Sequence, residues 1–175
     1  MILAPFALWI MGPTSAGKTT VAKKLVRKLN AYGCPTLHVD GDEVRALFGK
    51  EMGFSPDERL RVVNACLFVL KKAQEANVSV VVSALTAEDS ARSLVLELVP
   101  RVVICYLSCP IEICAQRDPK GLYLMARRGE IDTLVGYNSE YKAPDSYDLA
   151  IDTSSTSIDD AVQIVIDFIS DCYSC

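Results

Sequence analysis

The run GPTSAGKTT, from Gly12 to Thr20, constrains the fold of this chain more than any other stretch. It satisfies G-x-x-x-x-G-K-[ST], follows directly on an apolar stretch of strand length and leads straight into a helical pattern. Strand, glycine-rich turn and helix in that order make a phosphate-binding loop. The residue types follow from the chemistry. Glycines let the backbone curl so that successive N–H groups point at phosphate oxygens, and a helix N-terminus adds the positive end of its dipole. Gly12, Pro13, Thr14, Ser15, Ala16, Gly17, Lys18, Thr19 and Thr20 are therefore the candidate ATP-binding loop. Within it Lys18 is expected to reach the β- and γ-phosphates and Thr19 to ligate Mg²⁺.

Downstream, apolar runs of strand length alternate with helical patterns. The spacing predicts strands over 6–11, 36–40, 78–84, 101–108 and 147–151, and helices over 18–32, 42–48, 56–76, 87–99, 110–117 and 158–171. Five strands separated by helices predict an α/β fold, a five-stranded parallel sheet covered on both faces. Ser55, Pro56 and Glu58 form a helix-start signal, because S-x-x-E is a capping box and proline suits the first helical position. Between 118 and 144 the hydrophobic period disappears while Gly121, Gly129 and Gly136 accumulate. A long loop of that kind in a compact domain reads as a lid, here over 118–141 and with one helical turn.

Composition bounds the alternatives. With 175 residues, half of them hydrophobic, the chain has the length of one domain with one substantial core. A net charge of −4 argues against a nucleic-acid backbone as partner. The seven cysteines, Cys34, Cys66, Cys105, Cys109, Cys114, Cys172 and Cys175, lack the even, dense spacing of a secreted disulfide framework. Cys172-x-x-Cys175 has the spacing of a redox or metal pair, but no second pair accompanies it. The apolar start leads into the phosphate loop without a cationic region and reads as a first strand rather than a signal peptide. With no stretch of transmembrane length, the protein is expected to be soluble and cytoplasmic.

The acidic residues narrow the enzyme class. The third strand ends in Ser83, where motor-type ATPases carry the aspartate that holds Mg²⁺, whereas the second ends in VDGDEVR. Asp40 and Asp42 stand two apart at that strand's C-terminal end, so in extended geometry both project toward the ligand crevice of an open sheet. GTPase base-reading signatures such as N-K-x-D are missing, which favours a small-molecule kinase. One aspartate would then orient Mg²⁺ or its waters and the other accept a proton from the attacking hydroxyl. The plainer alternative for DGDE is a solvated turn with Asp42 as helix N-cap.

GPTSAGKTT, VDGDEVR at 39–45, GFSPDER at 53–59, QRDPKGLYLMARRGEI at 116–131 and VGYNSEYKAPDSYDLAIDT at 135–153 together resemble the adenylylsulfate (APS) kinases. Those enzymes phosphorylate the 3′-hydroxyl of adenosine 5′-phosphosulfate. The resemblance runs from Trp9 to Thr153 and implies a P-loop kinase fold with a mobile lid, acting as a homodimer. It makes Asp42 the base and a substrate contact, Lys18 catalytic, and Asp40 with Thr19 the metal side. Arg45 and Arg59 match positions holding the anionic phosphosulfate, a role suited to a fork of donors. Phe54 matches an aromatic that stacks on the substrate base, and Lys120 a lid lysine at the substrate. Leu85, Thr86, Val62, Leu134 and Val135 fall at further acceptor-side positions, and Arg117, Asp118 and Thr156 at nucleotide-contacting ones.

The departures cluster on the acceptor side. Val62 stands where the family has asparagine, Leu134 where it has a second stacking aromatic, and Val135 where threonine is usual. The segment resembling I-S-P-Y-R is Thr86, Ala87, Glu88, Asp89 and Ser90, so no phosphoserine can form at Ala87 and direct in-line transfer is implied. A relative with another acceptor, such as cytidine diphosphoramidate, is the alternative function. A non-catalytic nucleotide-binding module is the third reading, although Lys18, Thr19 and both aspartates are retained. His38, the lone histidine, and Trp9 read as strand residues serving structure.

Overall fold

The computed structural model describes residues 3–49 and 51–173. Five strands, β1 (Ala7–Met11), β2 (Thr36–Asp40), β3 (Ser79–Ser83), β4 (Val103–Ser108) and β5 (Leu149–Asp152), form one sheet in the order β2-β3-β1-β4-β5. Every neighbouring pair is parallel. The helices are α1 (Lys18–Ala31), α2 (Gly41–Leu47), α3 (Pro56–Glu75), α4 (Asp89–Leu98), α5 (Ile111–Arg117), α6 (Leu122–Arg127) and α7 (Ile158–Tyr173).

The uninterrupted apolar character of β1 is explained by two cores. Phe6, Leu8 and Ile10 pack on one side with α1 and α7, while Ala7, Trp9 and Met11 pack on the other with α3 and α4. Because side chains alternate, a central strand with both faces covered must be apolar at every position. β1 hydrogen-bonds to both β3 and β4, and the phosphate loop leaves its C-terminal end. In a sheet of this type that end opens on the ligand crevice.

The predicted strands and helices are all present, most of them one or two residues shorter than the pattern suggested. The fourth strand starts at Val103 rather than 101 because Arg101 adopts a left-handed turn conformation, φ 69°, which cannot continue a strand. The Ser55 capping box forms as expected, with Ser55 Oγ accepting from the Glu58 amide. The 118–141 segment departs from its reading as a loop without buried period. It contains α6, and Tyr123, Ala126, Leu134 and Val135 within it are buried. Cys175 lies outside the described residues, so its spacing with Cys172 is not seen; Cys172 is exposed and free.

Candidate active site

Gly12 shows why the phosphate loop needs its first glycine. Its φ is +151°, and a Cβ there would come within 2.3 Å of the Leu107 carbonyl oxygen, so a side chain would push the loop off β4. At the far end Gly17, φ 93°, is the N-cap of α1 and brings no capping side chain. The first turn of α1 is thereby left for a ligand rather than for its own cap. Two contacts from distant segments pin the curl: Thr153 Oγ1 donates to the Ala16 carbonyl at 2.9 Å and Tyr123 Oη to that of Thr14 at 3.2 Å.

Lys18 folds back over the loop and donates Nζ to the carbonyls of Gly12, at 2.9 Å, and Pro13, at 2.7 Å. Burial pulls its pKa from 10.5 down to about 8, against the opposing pull of the Asp42 carboxylate. Two neutral carbonyls are weak compensation for a desolvated ammonium, and an anion entering the loop is a better partner.

Asp40 is the N-cap of α2 and is almost wholly buried. Its Oδ1 accepts from the amides of Asp42 at 2.9 Å and Glu43 at 3.4 Å, and its Oδ2 from Thr19 Oγ1 at 2.7 Å and Ser83 Oγ at 2.8 Å. The donors outweigh the opposing effect of burial and hold its carboxyl below the ordinary aspartate range. Asp40, not Asp42, therefore caps the helix, which corrects the plainer reading of DGDE. Asp42 sits in the first turn of α2 with its side chain exposed and paired with Lys120 Nζ. Lys120, the matched lid lysine, thus has a carboxylate partner before any ligand binds. An exposed ion pair contributes at most about 1 kcal/mol, so an incoming ligand can open it.

No group of three or more His, Cys, Asp or Glu residues among the described ones forms a metal cage. Mg²⁺ at a phosphate site characteristically takes one or two protein oxygens and completes its shell with phosphate and water. The hard oxygens of Thr19 and Asp40 supply such a donor set.

At the Phe54 end of the cleft, the Glu58 carboxylate accepts from Ser55 Oγ and the amides of Ser55 and Gly53. These bonds lower its pKa to about 2, the Ser55 hydroxyl first among them, and fix the turn that carries Phe54. The Arg45 guanidinium lies 4.4 Å from the Phe54 ring centroid and that of Arg59 5.8 Å from it. Their polar contacts are backbone carbonyls: Gly53 for Arg45, and Phe54 and Thr133 for Arg59, at 2.8 and 3.0 Å. Neither arginine is in an ion pair among the described residues. Two half-buried guanidiniums flanking one ring, with no carboxylate on either, suit an anionic group on an aromatic base. Val62, Leu134 and Val135 form an apolar wall of the same cleft. Thr86 holds a left-handed φ of 43°, fixed by Trp9 Nε1 donating to its hydroxyl and Arg92 Nε to its carbonyl, both at 2.9 Å. Strained backbone over-determined in this way is typical of ligand-binding walls.

One cleft of about 870 Å³ joins these parts. It is lined from Thr156, Arg117 and the 14–20 loop, past Asp42 and Lys120, to Arg45, Phe54, Arg59, Leu85 and Thr86. Three predicted ATP-site residues do not line it. Gly12 and Pro13 offer their carbonyls to Lys18 from behind the loop, and Asp118 turns away to accept from the Leu124 amide at 3.0 Å. Arg117 does line the cleft, steadied by the carbonyl and hydroxyl of Thr153. Sequence reasoning missed Thr153, Ser83 and Arg92. Arg92 is buried and also donates to Asp89 and to the carbonyls of Lys142 and Ala143, which ties the Thr86 wall to the end of the 118–141 segment. A charge buried on a helix is the one signal that could have found it, and burial is not visible in a sequence.

A family profile described as adenylylsulphate kinase matches residues 4–152. An adenylyl-sulfate kinase of Shewanella sp. (strain ANA-3) is 40% identical over 170 residues, 95% of this chain and 82% of that protein. A probable adenylyl-sulfate kinase of Pyrococcus abyssi is 34% identical over 161 residues, 92% of each. The solved structure of the Mycobacterium tuberculosis APS kinase in complex with AMPPNP and APS has a TM-score of 0.87 at 29% identity, covering 97% of this chain and 99% of that one.

Proposed function

Because the chain belongs to the adenylylsulphate kinase family, we propose that it carries out the family reaction, moving the γ-phosphoryl group of ATP to the 3′-hydroxyl of APS by direct in-line transfer. One observation supports this above the rest: the phosphate loop and the Arg45–Phe54–Arg59 group open on a single cleft, and Asp42 lies close enough to both Lys18 and Arg45 to act on their charges.

In this reading the loop amides and Lys18 hold the triphosphate, with Lys18 leaving its carbonyls for the β- and γ-phosphates. Thr19 and Asp40 are the residues that would hold Mg²⁺, whose charge offsets that of the phosphates when bound. Thr156 and Arg117 border the ATP base. Arg45 and Arg59 take the phosphosulfate, Phe54 stacks on the acceptor base, and Lys120 exchanges Asp42 for substrate. The acceptor oxygen bonds to the γ-phosphorus as the bond to the β–γ bridging oxygen breaks. Asp42 receives the hydroxyl proton. Asp42→Asn should lower kcat by on the order of 10²- to 10⁴-fold with ATP affinity little changed, because only the proton acceptor is lost.

We further read the chain as one kinase domain with 118–141 as its lid, working as a cytoplasmic homodimer. Free, mostly buried cysteines fit a reducing compartment, and no helix of the described residues is long and apolar enough to cross a membrane. Sedimentation velocity checks the dimer.

The acceptor is tested by comparing kcat/KM for APS with that for cytidine diphosphate derivatives. Val62, Leu134 and Val135 make the comparison worthwhile, since they wall the acceptor end with aliphatic groups. A preference for APS is expected. A hundredfold preference for a cytidine compound, about 2.7 kcal/mol in transition-state binding, would reassign the acceptor and leave the hydroxyl-kinase chemistry in place.

A further inference from the structure

His38, the chain's only histidine, places Nε2 2.9 Å from Ser83 Oγ across the β2–β3 pairing. Ser83 has one hydroxyl proton, and it goes to Asp40 Oδ2 at 2.8 Å. The contact with His38 must therefore run the other way, with Nε2–H donating to Ser83. Both the neutral Nε2-protonated imidazole and the charged one can do so; only the Nδ1-protonated tautomer cannot. Asp40 Oδ2 also takes the Thr19 hydroxyl proton, which leaves the lone pairs of Thr19 Oγ1 for another partner. Donation thus runs from His38 through Ser83 to Asp40 Oδ2, where it meets the hydroxyl donated by Thr19.

We propose that Ser83 and His38 are positioning residues for the metal side of the active site, acting through Asp40 on Thr19. This rests on the reading that Thr19 and Asp40 face Mg²⁺. The two α2 amides fix one oxygen of Asp40 and the hydroxyls of Thr19 and Ser83 the other, so its carboxylate plane is set from α1, α2 and β3 together. Without Ser83 that plane loses its β3 anchor, and Thr19 can turn. His38 keeps the Ser83 proton aimed at Asp40 by occupying the serine oxygen. Outer partners of this type commonly contribute 10- to 100-fold to metal affinity.

The test has a metal-free part and a metal-bound part. With a single histidine, the imidazole ¹⁵N resonances of the metal-free protein need no assignment; Nε2–H is expected, and an Nδ1–H tautomer would overturn that donation. Calorimetry then measures ATP binding to wild type and variants with Mn²⁺ and in EDTA. Ser83→Ala should weaken Mn²⁺-dependent binding about tenfold and leave binding in EDTA unchanged. Ser83→Thr should restore it, His38→Leu should weaken it by a smaller factor, and His38→Gln, which keeps a donor, should retain more than His38→Leu. Equal losses with and without Mn²⁺, or none in Ser83→Ala, would overturn the proposal while the metal reading of Thr19 and Asp40 stands. Wild-type affinity indifferent to Mn²⁺ would overturn both.

Discussion

Lys18 holds its charge in a loop that strips away much of its solvent, and that leaves a signature in pH. Its folded pKa of about 8 lies below the ordinary 10.5, so between those values the unfolded chain keeps a proton that the folded one has released. Stability then rises with pH across that window, and below pH 8 the penalty is fully present, on the order of 3 kcal/mol. Thermal melts of wild type and Lys18→Met should show wild type gaining on the variant from pH 8 to 10, with no change in their gap between pH 6 and 7. The same depression predicts that ATP binding at pH 8.5 takes up a proton, as phosphate restores the lysine charge. Calorimetry in two buffers of different ionisation enthalpy measures that uptake. Lys18→Met should also abolish phosphoryl transfer, because no other cation reaches the phosphates from within the loop.

At the level of elements, the 118–141 segment is held more firmly than its composition implies. Tyr123 is buried in the core shared by α1 and α7 while its hydroxyl reaches the phosphate loop, and Leu134 is buried in the same core. What is left exposed between them is 127–133 apart from Ile131, which packs against the same core, together with Pro119 and Lys120 at the preceding corner. Hydrogen exchange should therefore show α6 protected without ligand, and added protection on binding nucleotide and acceptor should fall on 119–121 and 127–133. Uniform slowing from 118 to 141 would mean that the whole segment closes as a unit. The sequence pattern reached the five strands as bounded apolar runs and six of the helices from their spacing and start signals. It gave α6 only as one turn within a loop, since six residues are too few to display a 3.6-residue period. The loop was read from its motif and the two aspartates from their spacing, whereas the two arginines came only from the resemblance to the kinase family. The Ser83–Asp40 contact spans 43 residues and the Arg92–Lys142 contact 50, and no local pattern encodes such pairings. Parallel strand register brings the first together, and the return of the chain from 142 to β5 the second.

Across the whole molecule, the two cores divide the labour of the site. The core against α1 and α7 supports the phosphate loop through Ala16, Cys114 and Tyr123, and the core against α3 and α4 supports the Phe54 end through Val62, Val63 and Ala84, with Leu134 of the first core reaching the same cleft. Trp9 belongs to the second core, is fully buried, and is the only tryptophan in the chain. Its indole N–H bonds to the hydroxyl of Thr86, a residue lining the cleft and proposed above to face the acceptor. Replacing Thr86 by valine leaves that N–H buried without a partner, at a cost of about 1 to 3 kcal/mol, so Thr86→Val should melt earlier. The same bond gives the enzyme a built-in optical gauge. Indole emission responds to hydrogen bonding at its nitrogen, so acceptor titrated into the protein should change fluorescence intensity, whereas ATP alone should leave it nearly flat. Occupancy of the two halves of the cleft could then be followed separately in unlabelled protein, with order of substrate addition read from the light of one side chain.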